Sequence, residues 1–153
     1  MQMLMVLPLR IVNLQGNNDK LNFVYFYGKQ QYDFATAAKN ITITGNTVDG
    51  IARLCELRGA ENVTITNNII SNTYLHAILL AKDGINYSGN VTITDNEADG
   101  IGERFVRMAG AGDATVVIRD NVITNYKGAD SDYIKVTDFT SGSLTNENNT
   151  CTY

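Results

Sequence analysis

The sequence predicts an all-β solenoid whose coils each hold three short strands, and three observations predict it. First, one phrase recurs four times, as Asn40-Ile-Thr-Ile-Thr-Gly-Asn46, Asn62-Val-Thr-Ile-Thr-Asn-Asn68, Asn90-Val-Thr-Ile-Thr-Asp-Asn96 and Thr115-Val-Val-Ile-Arg-Asp-Asn121. Second, the copies begin 22, 28 and 25 residues apart, a period that marks repeat architectures. Third, apolar and polar residues alternate within each copy, as in a half-buried strand. Such short spacings leave no room for a crossover helix. Each strand is therefore expected to pair in parallel with its equivalent one coil on, at roughly 4.8 Å.

The elements follow in order. The first strand of each coil is the phrase itself, with Ile41/Ile43, Val63/Ile65, Val91/Ile93 and Val116/Ile118 pointing inward. A second segment starts at Thr47, Ile69, Glu97 and Val122. A third strand is read over 53–58, 77–81, 104–108 and 133–137. Arg10-Ile-Val-Asn-Leu14 with Asn17 reads as a degenerate first copy, and Phe23–Gly28 as its third strand. The chain, 153 residues long, is one domain on this reading. It holds about five coils, near 10–39, 40–61, 62–89, 90–114 and 115–142, with a partial sixth over 143–153. Asn46, Asn68, Asn96 and Asn121 are expected at one corner, where asparagine tolerates a left-handed backbone and its amide can ladder between coils. A leucine-rich repeat has a similar period but needs a Leu-x-x-Leu-x-Leu frame, which is missing.

Composition narrows the function classes. A net charge of −4 argues against a nucleic-acid partner, which needs a basic surface. No run is long and apolar enough for a membrane span, and the brief apolar start, 1–10, lacks the basic segment and cleavage site of a signal peptide. His76 is the only histidine, and Cys55 and Cys151 form no motif of metal-ligand spacing, so neither a metal nor a cofactor is expected. Cys55 reads as a buried thiol. The Asn-x-Ser/Thr triplets mostly fall out of the repeat phrase, so a structural origin is preferred to glycosylation.

The N-[IV]-T-I-T-x-N phrase resembles that of right-handed parallel β-helices of the pectate-lyase-like superfamily, and the resemblance covers nearly the whole chain. It implies a right-handed single-stranded β-helix. Members of that superfamily include polysaccharide lyases, glycoside hydrolases, phage tailspikes and bacterial surface proteins. The chain lacks the Gly-His-Gly of polygalacturonases, an adjacent Asp-Asp pair and the Trp-x-Asp-His of pectate lyases. The outward threonine pairs 42/44, 64/66 and 92/94 resemble arrays on ice-binding β-helices, but exposed threonine also simply suits a β face.

The third strand is where a site is expected, because its outward residues change from coil to coil. One column reads Tyr25, Glu56, Leu79, Arg107 and Lys135. Its flank reads Tyr27, Arg58, Ala81, Ala109 and Thr137, and the lead-in turns add Arg53, His76, Glu103, Arg104, Asp130 and Asp132. Arginines and lysines suit carboxylate or sulfate groups, and tyrosines offer a stacking face for sugar rings. Substrate binding is thus expected from Tyr25, Tyr27, Arg53, Glu56, Arg58, His76, Arg104 and Arg107. For catalysis, Glu103 and Asp132 on adjacent coils would lie roughly 5 Å apart, as in retaining glycosidases. Glu56 and Glu103, two coils apart at roughly 9.6 Å, approach the inverting separation. Lys135 or Arg107 would be a lyase base if its pKa were lowered. The partner on this reading is a polysaccharide or oligosaccharide, met outside the cell or at its surface. The alternative is a non-catalytic structural or adhesive segment, and open coil ends would favour homo-oligomers.

Overall fold

The computed structural model describes residues 7–9, 14–26, 38–82, 84 and 86–153, and among them every regular element is a strand. A partial turn contributes β1 (Leu7–Leu9) and β2 (Leu14–Phe26). The next holds β3 (Ala38–Thr44) and β4 (Thr47–Arg58). Three further turns hold β5 (Ala60–Thr66), β6 (Ile69–Ser71) and β7 (Ile78–Ala81); β8 (Ser88–Thr94), β9 (Glu97–Asp99) and β10 (Val106–Met108); and β11 (Thr115–Arg119), β12 (Val122–Thr124) and β13 (Ile134–Val136). A last partial turn supplies β14 (Ser143–Glu147) and β15 (Thr150–Cys151). The solenoid thus has about four complete turns, not the five expected; the 10–39 copy lies partly outside the described residues.

All pairings are parallel. The first sheet runs β1-β3-β5-β8-β11-β14, and its register stacks the phrases as expected, with Ile41, Val63, Val91 and Val116 in one column and Ile43, Ile65, Ile93 and Ile118 in the next. All eight side chains are buried. The other strands form two ladders joined at β4. Thr47–Asp49 pair with β6, while Cys55–Arg58 pair with β7. The three-strand coil therefore does not hold in this turn, where second and third strands fuse into one of 12 residues. The first turn also departs from expectation. Leu7 and Leu9, not the Arg10–Leu14 phrase, pair with Ile41 and Ile43, and Leu14 pairs with Val48. Leu7-Pro-Leu9 offers the same alternation three residues earlier.

The corner ladder forms as five rungs. Asn46, Asn68, Asn96 and Asn121 each donate from Nδ2 to Oδ1 of the asparagine one turn on, at 2.8–2.9 Å, ending on Asn149. Each of those Oδ1 atoms also accepts the backbone N–H of the asparagine below, at 3.0–3.1 Å. The left-handed residue is not the ladder asparagine but the one before it. Gly45, Asn67, Asp95, Asp120 and Asn148 have φ between 53° and 67°. That explains the variable position of the phrase, which only ever holds Gly, Asn or Asp, the residues that enter this region most readily. The ladder residues are released for hydrogen bonding, and Asn46, Asn68, Asn96 and Asn121 are buried.

Candidate functional site

The third-strand wall is positioned by register. Tyr25 lies beside Glu56, Glu56 beside Leu79, Leu79 beside Arg107 and Arg107 beside Lys135. This is the column expected from the sequence, including the turn at Tyr74–His76, whose extra length does not shift it. Inward neighbours Cys55, Leu57, Ile78, Leu80, Val106 and Met108 are buried, which turns the intervening side chains outward. Tyr25 is exposed, Leu79 and Arg107 are half-buried and Lys135 is exposed. Tyr27 lies outside the described residues.

At one end of the wall sits an ionic knot. Glu56 occupies an outward position yet is buried. Its Oε1 accepts from Arg58 Nη2 at 2.6 Å and Nε at 3.1 Å. Its Oε2 accepts from Asn22 Nδ2 at 3.2 Å and faces Arg53 Nη1 at 3.3 Å. Arg53 Nη1 also donates to Asn22 Oδ1 at 3.3 Å. A carboxylate so surrounded is a structural clamp, because removing either charge would strand the other in a poorly solvated place. Asn22 was not among the expected site residues. It reaches Arg53 through two register shifts in β2, which no local pattern announces.

The middle of the wall is a cationic cluster spread over three turns. His76 is half-buried; its Nδ1 accepts the backbone N–H of Arg104 at 3.2 Å and lies 3.1 Å from Glu103 Oε2. Burial pushes the imidazole below the ordinary histidine range, Glu103 pulls it back up, and Arg53, Arg104 and Arg107 push it down. His76 is therefore neutral near pH 7, with the proton on Nε2. Arg104 pairs with Asp130. The Nε atoms of Arg53 and Arg104 are buried and have no hydrogen-bond partner among the described residues.

At the other end the cations are unneutralised. Arg107 Nη1 donates to the Met108 carbonyl at 2.6 Å and to Thr137 Oγ1 at 3.3 Å. Among the described residues neither it nor Lys135 has a carboxylate partner. Three of the carboxylates named from the sequence have defined partners. Glu103 faces His76 of the preceding turn, and Asp130, from a lead-in turn, meets Arg104. Glu56 is bound by two arginines. Cys55 is inert, its thiol pushed up to about 12 by burial. Among the described residues no group of histidines, cysteines and carboxylates is placed to hold a metal.

A parallel β-solenoid with an asparagine ladder and one chemically varied wall defines the class of protein. Residues 12–151 match the family model described as "Right handed beta helix region". The chain belongs to that family, and the fit to the pectate-lyase-like superfamily noted from its phrases is consistent with it. No curated protein and no solved structure matches the chain.

Proposed function

We propose that this chain is a carbohydrate-binding β-helix module that meets a polysaccharide outside the cell or at its surface, and that the acidic groups of that polysaccharide lie along the third-strand wall. The observation that supports it is the pair Arg107 and Lys135, neighbours in register and free of carboxylate partners among the described residues. They stand out on a chain of net charge −4, on a face whose outward residues change at every turn. A row of cations at roughly 4.8 Å spacing suits carboxylates or sulfates repeated along a polymer, and exposed Tyr25 adds a ring face.

A glycan array carrying acidic and neutral polysaccharides tests this, with hits assayed for cleavage. Binding to acidic members, weakened by Arg107→Ala, is the expected result; uniform silence would sink the reading. Release of unsaturated or reducing-end products would extend it to a lyase or hydrolase, with Glu103, Asp132 and Lys135 as the residues to mutate. Binding without products would leave a binding module.

A second reading, a non-catalytic structural or adhesive module, is favoured by the asparagine ladder, whose amides are taken up by one another and serve the scaffold alone. Uniform silence on the glycan array from a protein folded by circular dichroism supports this reading, and specific glycan binding removes it.

A further inference from the structure

We propose that His76 is a proton-operated gate on the cationic wall, so that acid strengthens binding of the polyanion; the inference rests on the acidic-glycan reading above. The geometry carries it. One nitrogen, Nδ1, stands against two groups with opposite demands. The backbone N–H of Arg104, at 3.2 Å, needs a lone pair. The carboxylate of Glu103, at 3.1 Å, needs a proton. Nδ1 serves only one of them at a time. When neutral, His76 accepts from Arg104, and Glu103 remains an uncompensated negative charge beside the wall. When a solvent proton binds Nδ1, the imidazolium donates it to Glu103 Oε2 and releases the Arg104 N–H, which becomes a free donor.

The charges around the ring fix the direction. Arg53 faces it from β4, Arg107 from β10, and Glu103 and Arg104 from the turn before β10. Arg53 is shared with Glu56, and Arg104 with Asp130. The three arginines resist protonation, while an anion docked among them favours it. By linkage, an anion that raises the histidine's proton affinity binds more tightly once the proton is present. Each unit by which the bound anion raises that pKa strengthens binding about tenfold at low pH. A partly exposed site, screened by salt, is expected to give about three- to tenfold.

His76 is the only histidine of the chain, so its ring resonances report the gate without overlap. The probe is a sulfated dextran fragment, whose own charge does not titrate in this range. The intact chain is expected to bind it about three- to tenfold more tightly at about pH 5 than at about pH 8. The imidazole should titrate below about 6.5 when free and higher when the fragment is bound. His76→Gln should bring the ratio of affinities close to one. Glu103→Gln, which removes the opposing carboxylate, should move the free histidine's titration to lower pH. Equal binding at both pH values, or a histidine titration unmoved by the fragment, overturns the gate and leaves the glycan reading standing. Silence at every pH overturns both.

Discussion

The asparagine corner and the third-strand wall are both columns of side chains stacked one per turn, and they place their polar groups differently. In the corner every turn carries the same amide, and each Nδ2 meets an Oδ1 above it and carbonyls beside it; Asn96, for instance, donates to Asn121 Oδ1, Ile65 O and Thr94 O at 2.9–3.1 Å. On the wall the residues differ at every turn, carboxylates bind some cations twice over, and others have none among the described residues. The difference teaches where to look for function in a solenoid. A repeated polar column is satisfied by its own copies and has nothing left for a ligand, whereas a column that varies retains unmatched groups. Glu56 marks the exception, since it belongs to the wall but behaves like the corner.

The comparison is sharpened most by Asn96→Ala. It orphans the buried Asn68 N–H and takes a donor from the Ile65 and Thr94 carbonyls, so about 3 kcal/mol of stability should be lost in urea unfolding, with glycan binding unchanged in the fraction that folds. A loss below about 0.5 kcal/mol would mean the ladder is ornament. Next, Glu56→Gln should cost about 2 kcal/mol, because Arg53 and Arg58 lose their counter-charge in a buried place; a neutral result would return Glu56 to the binding face. The left-handed position gives a smaller effect. Asp120→Val should cost about 1–2 kcal/mol from backbone strain at φ 56°, and Asp120→Gly should not.

On the wall itself the sign of the comparison reverses. Arg107→Ala and Lys135→Ala should each change stability by less than about 0.5 kcal/mol and weaken acidic-glycan binding; equal loss of stability and binding would erase the distinction between the two columns. The smallest effect is that of Asp99 on the second-strand face. Hydrogen bonds from Thr124 at 2.7 Å and Asn125 at 2.6 Å hold its carboxyl below the ordinary aspartate range. Its folded pKa is depressed, so its contribution is present above about pH 4 and lost as pH falls through the lower folded value. Asp99→Asn should flatten that part of an acid-denaturation profile, measured by circular dichroism.

Much of this was legible before any coordinates. The alternation of Ile41 and Ile43 with threonine, copied at Val63, Val91 and Val116, announces both the inward face and the repeat. The asparagine ladder followed from recurrence alone, although the left-handed role belonged to the preceding residue. A single sequence cannot separate two adjacent asparagines such as Asn67 and Asn68, one in each role. The wall's column was also readable, because strand alternation is local and parallel register carries it from turn to turn. Its chemistry was less so. Tyr25 through Lys135 could be listed in order, but not which cation each carboxylate would take.

What the sequence by itself determined is therefore the period, the inward face and the set of residues presented at each turn, since all three follow from the two-residue repeat of a strand and from recurrence. Only the tertiary structure decided the fusion of second and third strands in β4, the clamp of Asn22 and two arginines on Glu56, the pairing of Arg104 with Asp130 and the shared nitrogen of His76. Apart from the two arginines, which lie within three residues of Glu56, those pairings join residues 26 to 34 positions apart across turns of unequal length. A shift of one residue in a connecting turn replaces the partner, and local propensity contains no term that fixes it.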